Sequence, residues 1–508
     1  MPKQSIILAT LNAKFIHTAF GLRYLYANLG ALKAETTLLE FTIKQRPLDV
    51  VEQLLLHNPK IIGLGVYIWN ITELTEVVQL LKALRPDIKV ILGGPEISYE
   101  TDQQNICHLA DYVITGEGEV AFKQLVEDLL CQGKARLEKV IPGTPPDLET
   151  LLFPYDEYTD DDIKNRVIYI EASRGCPYRC EFCLSSLDKK VRNFPQDAFL
   201  TQLKNLYDRG VRQFKFVDRT FNLKINQCLA ILQFFLDRLD TPLFVHFEVI
   251  PDRLPDALKT TIQQFPEGSL QFEIGVQSLN PEVQTHISRR QDNPQTLSNI
   301  QWLREQTQVH MHTDLIIGLP GETKTSFGEG FDQLIAAKPH EIQVGILKRL
   351  RGTPIIRHTQ EYQMVFSPLP PYDILSNQDI HFDTMQQLRR FARYWDMIGN
   401  SGHFPNTRKH IATGPAFERF FTVSNWLFER TGQTHAIALK RLFECLYYAL
   451  TDALQTSEEE AKAIILADFN LSKLKNKRFF LNSQKSPLAH STTRTSTPSR
   501  QARFSTDS

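Results

Sequence analysis

RGCPYRCEFCLSS, residues 174–186, sets Cys176, Cys180 and Cys183 in a C-x3-C-x2-C pattern, three of the chain's seven cysteines within eight positions. Thiols this close point to a metal, and their number is informative. A disulfide uses two and strands the third. Zinc asks for four ligands, often with a nearby histidine, and no histidine stands between His108 and His246. An electron-transfer 4Fe–4S centre takes four cysteines. Three leave one iron with an open position, which is what lets a metal engage a substrate. As mere structural cysteines, three at this spacing would be a coincidence. The stretch therefore reads as the ligand loop of an iron–sulfur cluster.

Working outward, the run at 167–172 just before the cysteines reads as a strand. Further strand candidates lie at 213–217, 244–249, 269–275, 309–317 and 340–347, with helical patterns such as INQCLAILQFFLDRL (225–239) between them. Six β/α units imply a partial (βα)6 barrel, with the cysteines on the face where barrel chemistry occurs. Upstream, SIILAT (5–10), TTLLEF (36–41), IIGLGVY (61–67), KVILGG (89–94) and DYVITG (111–116) read as five strands separated by helices. Continuous apolar strands of this kind predict a doubly wound, Rossmann-like parallel sheet covered on both faces. Its polar and glycine-rich turns, NAKFIH (12–17), YIWN (67–70), GGPE (93–96) and GEGE (116–119), follow strands at the ends where such sheets bind ligands. The expected division of this α/β chain is an N-terminal domain at 1–135, a proline-rich linker at 136–164 and a barrel at 165–355. A mainly helical C-terminal cap at 356–482 and a polar disordered tail at 483–508 complete it.

Composition excludes several classes. The chain has 508 residues, 42% hydrophobic and 23% charged, ordinary values for a globular protein. A net charge of −1 supplies no field for nucleic acid or an anionic membrane, and NLSKLKNKRFF (470–480) reads as a solvated helix end. No stretch approaches 18 uninterrupted apolar residues, and the N-terminus lacks the apolar run of a signal peptide. The four remaining cysteines, Cys107, Cys131, Cys228 and Cys445, stand apart, so a reducing cytoplasm is expected.

C-x3-C-x2-C with Phe182 before its last cysteine, after the first strand of a barrel, resembles the radical S-adenosylmethionine (SAM) superfamily. QFEIGVQSLNPEVQTHISR (271–289) and HTDLIIGLPGET (312–323) resemble that superfamily's fourth and fifth strands. The resemblance implies that the open iron chelates SAM and that reductive cleavage yields a 5′-deoxyadenosyl radical. It implies that Phe182, Ile316 and Gly318 line the adenine, and that Gln277 and Ser278 approach the ribose or methionine. Glu248 and Glu273 are candidates for the barrel interior. The Gly-Gly-Glu segment many members use for the SAM amino group is missing from FVDRTFN (216–222), where Asp218 and Thr220 are weak substitutes.

IIGLGVYIWN, ILGGPEIS and DYVITGEGEVAF resemble the cobalamin-binding domain of B12-dependent radical enzymes. That likeness implies cobalamin on the strand ends, near Asn12, Tyr67, Gly93, Gly94, Gly116 and Glu117. The D-x-H-x-x-G motif of domains that bind cobalt through histidine is absent, and His17 stands at the wrong spacing. Methylthiotransferases carry three cluster cysteines in the N-terminal domain, where only Cys107 and Cys131 occur here. The first expectation is methylation of an unactivated carbon. A cobalamin-assisted cyclisation or rearrangement, or a radical core whose N-terminal domain binds protein or RNA, are the alternatives. The substrate is expected at the domain interface, and an electron donor such as flavodoxin or ferredoxin as partner.

Overall fold

The computed structural model describes residues 5–131, 136–239, 241–472 and 474. The tail reading at 483–508 lies outside them. The chain divides into two compact units, one running to Arg389 and one from Arg390 onward.

The first unit opens with a six-stranded parallel sheet: β1 (Ile6–Asn12), β2 (Thr36–Thr42), β3 (Ile61–Gly65), β4 (Lys89–Gly93), β5 (Tyr112–Thr115) and β6 (Val140–Pro142), in the order β2-β1-β3-β4-β5-β6. Side chains alternate between two cores. Ile7, Ala9 and Leu64 pack with the helices Pro47–Leu56 and Ile71–Leu84. Ile6, Leu8 and Ile91 pack with Phe20–Ala27 and Glu119–Cys131. Burying each large aliphatic side chain contributes ~1.5–3 kcal/mol, so a strand buried on both faces needs no polar alternation. The strand order reverses beside β1, which opens a crevice at the carboxyl ends of β1 and β3.

Between the sheets, 136–164 is more structured than its prolines suggest. Val140–Pro142 is the sixth strand of the first sheet, and Asp160–Asn165 is a helix closed by a Thr159–Asp162 capping box. Proline is tolerated here because β6 is an edge strand.

The second sheet is also parallel: β7 (Ile168–Ile170), β8 (Gln213–Phe216), β9 (Phe244–Val249), β10 (Leu270–Gln277), β11 (His310–Ile317) and β12 (Glu341–Ile346), paired in sequence order. Edges β7 and β12 make it an open, partial barrel. Along β10 and β11 burial alternates strictly. Phe272, Ile274, Met311 and Leu315 are fully buried, whereas Glu273, Gly275, His312 and Asp314 occupy the opposite face. The register aligns Glu248, Glu273, His312 and Glu341 in one row across four strands.

The two sheets are joined by a buried ion network. Arg23 pairs with Glu40 at 2.6 Å and Asp162 at 2.9 Å, and Arg166 pairs with the same carboxylates at 2.7 and 2.9 Å. Val167 N–H also donates to Ile16 O at 2.8 Å.

The helix Phe382–Ile398 leads into the second unit, which holds Pro405–Ile411, Ala416–Thr431, Leu439–Tyr448 and Glu458–Leu471. A π-helical turn, Ala449–Ala453, extends the third of these. Asp468, fully buried, accepts from the Asn406 and Thr407 backbone at 2.7 and 2.9 Å and so caps Pro405–Ile411 from the last helix. No helix among the described residues is long and apolar enough to cross a membrane.

Candidate active site

The cysteine loop leaves β7 through a short antiparallel ribbon, Ser173–Arg174 against Arg192–Asn193. Gly175 turns it with φ +88°, and a Cβ there would lie 2.5 Å from Lys190 O, so only glycine fits. Cys176 N–H donates to Asp188 O at 2.9 Å and closes the loop's far side. Cys176 and Cys180 are buried and Cys183 is half-buried. Burial pushes the Cys176 and Cys180 thiols up, opposed at Cys176 by the Tyr178 backbone N–H and at Cys180 by Arg289, whose Nη1 is 3.6 Å from the sulfur.

The three thiols fit a cluster better than a single ion. Around one zinc, sulfur atoms stand ~3.8 Å apart. Cys176, Cys180 and Cys183 do not form a set within 4.8 Å of one another, and a multi-iron cluster ligated one iron per thiol requires that wider spacing.

A cavity of about 260 Å³ opens beside the cysteines, lined by Phe182, Arg219, Glu248, Gln277, Arg289 and Asp314 among others. Arg219 Nη1 donates to Glu248 at 2.9 Å. Burial raises Glu248 against the pull of Arg219, while a 2.9 Å bond from His246 lowers Glu273. Burial, with Glu273 and Glu248 nearby, holds Asp314 well above the carboxylate range.

Of the residues expected around SAM, Phe182 and Gln277 line this cavity and Ser278, Ile316 and Gly318 do not. Gln277 sits at φ +70°, where the register of β10 on β11 slips. Ser278 Oγ donates to Glu322 Oε1 at 2.8 Å, which bonds the turn after β10 to the GLPGET turn after β11. A Cβ on Gly318 would lie 2.6 Å from Ile374, so this glycine is filled from the post-barrel segment. Asp218 is buried and accepts from Ala172 N–H and Ser173 Oγ, pinning the strand end, while Thr220 reaches the cavity. Glu248 and Glu273 both line it.

A second cavity, of about 370 Å³, lies at the strand ends of the first sheet and contains Tyr67, Gly93, Gly94, Gly116 and Glu117. Glycine builds it. Side-chain positions at Gly63 are already taken by Phe122 and Leu8, a Cβ at Gly94 would strike Val66 O at 2.4 Å, and one at Gly93 would meet nothing within 4 Å. A flat ring system therefore has an open backbone surface, which is the cradle a corrin needs. Asn12 is not in the lining; its Nδ2 donates to Glu40 and to His17 O at 2.7 and 2.9 Å. His17 is outside it too, with Nδ1 2.7 Å from the Tyr169 hydroxyl.

Leu184 lines the second cavity, while Phe182, Cys183 and Ser185 line the first. The segment after the last cysteine is thus a shared wall. Arg174, two residues before the first cysteine, donates to Glu117 and Glu119 of the N-terminal domain at 2.7 and 2.8 Å and stacks over Tyr24. Arg192 bonds Glu117 as well.

Family models match three consecutive segments: a B12 binding domain at residues 6–126, the radical SAM superfamily at 170–334, and a protein family of unknown function, DUF4080, at 360–504. The chain joins a B12 binding domain to a radical SAM domain. An uncharacterised methyltransferase of Pyrococcus horikoshii is 25% identical over 302 residues, covering 54% of this chain and 64% of that protein. The cobalamin-dependent radical SAM methyltransferase TokK of Streptomyces tokunonensis is 25% identical over 329 residues, covering 57% of this chain and 47% of that protein. The chain thus spans less than two thirds of the length of these curated relatives. The solved structure of the cobalamin-dependent SAM radical enzyme OxsB superposes with a TM-score of 0.63 over 94% of this chain and 82% of that one, at 13% identity, and shares the fold. These domains imply a 4Fe–4S cluster, SAM and cobalamin as cofactors.

Four residues inside the quoted stretches were given no role by the sequence. Arg219 of FVDRTFN and Arg289, at the end of QFEIGVQSLNPEVQTHISR, line the cavity, and Arg174 acts across the domain boundary. Glu181, between the second and third cysteines, is buried and accepts from Ser288 Oγ at 2.5 Å, His358 Nε2 at 2.9 Å and Arg357. The only signal in the sequence was an acidic residue inside a cysteine motif.

Proposed function

We propose that this protein is a cobalamin-dependent radical SAM methyltransferase acting on an unactivated carbon. The observation that carries the reading is the shared wall: residues 182–186 separate the cysteine cavity from the glycine-lined one. Bound there, a 4Fe–4S cluster with SAM supplies one-electron cleavage chemistry, and a corrin supplies a transferable methyl group.

The chain's own residues then have separable tasks. Cys176, Cys180 and Cys183 hold three irons. Arg289 places positive charge beside the Cys180 sulfur and favours its thiolate. Phe182 and Gln277 present an apolar face and an amide to SAM. Arg219, paired with Glu248, offers donors to its carboxylate end. Gly93, Gly94 and Gly116 give the corrin its surface. Arg174, held by Glu117 and Glu119, keeps the cysteine loop in register with the N-terminal sheet. The substrate enters where the two cavities approach one another, and a one-electron reductant such as flavodoxin or ferredoxin completes the partners.

The test is product accounting with anaerobic, reconstituted, reduced full-length protein, with and without hydroxocobalamin. Cleavage without added substrate should give 5′-deoxyadenosine. With the turned-over substrate, S-adenosylhomocysteine should accompany it in near-equal amount and only when cobalamin is present. Deoxyadenosine without S-adenosylhomocysteine during substrate turnover would instead favour cyclisation or rearrangement.

A further inference from the structure

At the amino-terminal ends of β11 and β12, at the opposite ends of the strands from the turns that follow them, stand His310, His312 and Glu341. His310 Nε2 and His312 Nε2 each lie 3.0 Å from the same atom, Glu341 Oε1. Among the described residues this is the one set of three or more His, Cys, Asp or Glu side chains whose donor atoms lie within 4.8 Å of one another. The backbone fixes it: β11 and β12 pair His312 with Glu341, and His310 is two positions back on the same face.

The spacing is within a few tenths of an ångström of a coordination polyhedron at both imidazole–carboxylate pairs. Imidazole nitrogen and carboxylate oxygen bind zinc at roughly 2.0–2.2 Å, which puts neighbouring donors of a tetrahedron ~3.3–3.6 Å apart. Two imidazoles and a carboxylate are a donor set suited to zinc and its first-row neighbours. Around His312 the outer contacts are also in place. Its Nδ1 lies 3.4 Å from the Gln271 amide and 3.3 Å from the Gln343 amide. Turning either amide over presents an oxygen to Nδ1–H and frees the Nε2 lone pair for a metal. As a bare hydrogen-bond network, by contrast, the group directs two imidazoles at one oxygen. The three side chains are half-buried, so an ion can reach them from solvent.

We infer that His310, His312 and Glu341 bind a divalent first-row transition ion, zinc by donor preference, with water in the remaining position. The ion ties the edge strand β12 to β11 at the end of the barrel remote from the cysteines. It is independent of the reaction proposed above.

The probes are zinc chloride and cobalt(II) chloride added to the full-length protein after chelation. Because bare thiols also take zinc, the comparison uses a Cys176→Ala/Cys180→Ala/Cys183→Ala variant beside Glu341→Gln and His312→Gln. The expected result is one zinc per chain in the thiol-free variant, with cobalt giving weak ligand-field bands and no thiolate charge-transfer band. Glu341→Gln or His312→Gln should weaken that zinc by at least ~10-fold. Cluster-loaded wild-type protein, whose thiols are occupied, gives a second measurement: one zinc beside its iron, absent after Glu341→Gln. No zinc in the thiol-free variant and none in the cluster-loaded protein overturns the inference. So does zinc that both ligand variants retain at full affinity.

Discussion

Two six-stranded parallel sheets stand in one compact unit, and they make binding surface in opposite ways. The first sheet is apolar on both faces and offers its ligand the places where side chains are missing, Gly93, Gly94 and Gly116 at the strand ends. The second is apolar only toward its helices; its other face carries Glu248, Glu273 and Asp314, and its cavity is made by side chains that project. A wide, flat ligand needs backbone approach. A small charged one needs donors and acceptors at fixed distances. The same strand chemistry serves both because one sheet is closed over twice and the other curls open.

The contrast breaks most visibly at the cysteines. Cys180→Ala should drop iron content and reduce deoxyadenosine formation to background, since no neighbouring thiol replaces the lost ligand; iron and product retained at wild-type level would remove the cluster assignment. The next largest effect is at the junction of the sheets. Arg23→Met leaves Glu40 and Asp162 buried without one of their two cations and should cost about 3–5 kcal/mol in denaturant unfolding. A cost below about 1 kcal/mol would mean the network is not what joins them.

Glycine substitutions sharpen the other half of the contrast. Gly94→Ala forces a Cβ onto Val66 O at φ +115° and should destabilise the fold by about 1–3 kcal/mol. Gly93→Ala meets nothing, so stability should stay within about 0.5 kcal/mol while hydroxocobalamin uptake, followed by its absorbance, falls. Equal cobalamin uptake by the Gly93 variant and wild type would show that the corrin does not lie there.

The pH-dependent effect concerns the turn that links the second sheet's two signatures. Burial pushes Glu322 up to about 8 from an ordinary value of 4.5, against a bond from Ser278. The folded state therefore keeps a proton that the unfolded chain has released. Stability should fall as pH rises from 4.5 toward 8, by at most about 1.4 kcal/mol per pH unit, and level off above. Glu322→Gln should flatten that slope; an unchanged slope would assign it to other groups.

Much of this was legible before any coordinates. The strand at 244–249 and its neighbours announced themselves because apolar residues between helical stretches have few other places to go. The cysteine triad was legible because soft donors at short spacing have few other uses. Residues 136–164 were not, since β6 is three residues long and gains its place from pairing with β5 rather than from propensity. Asn12, Ser278 and Gly318 sit in motif-like stretches, yet their partners are Glu40, Glu322 and Ile374, all remote in sequence.

The sequence by itself determined the order of elements, the two parallel sheets and the three thiols, because periodicity and ligand spacing are local properties. Tertiary structure alone decided that Arg174 reaches Glu117 and Glu119, that Glu181 is clamped by His358 and Arg357, and that His310, His312 and Glu341 converge on one point. Those contacts depend on strand register and on loops closing across many residues. Register is fixed by the sum of core packing, which no single stretch of the chain contains.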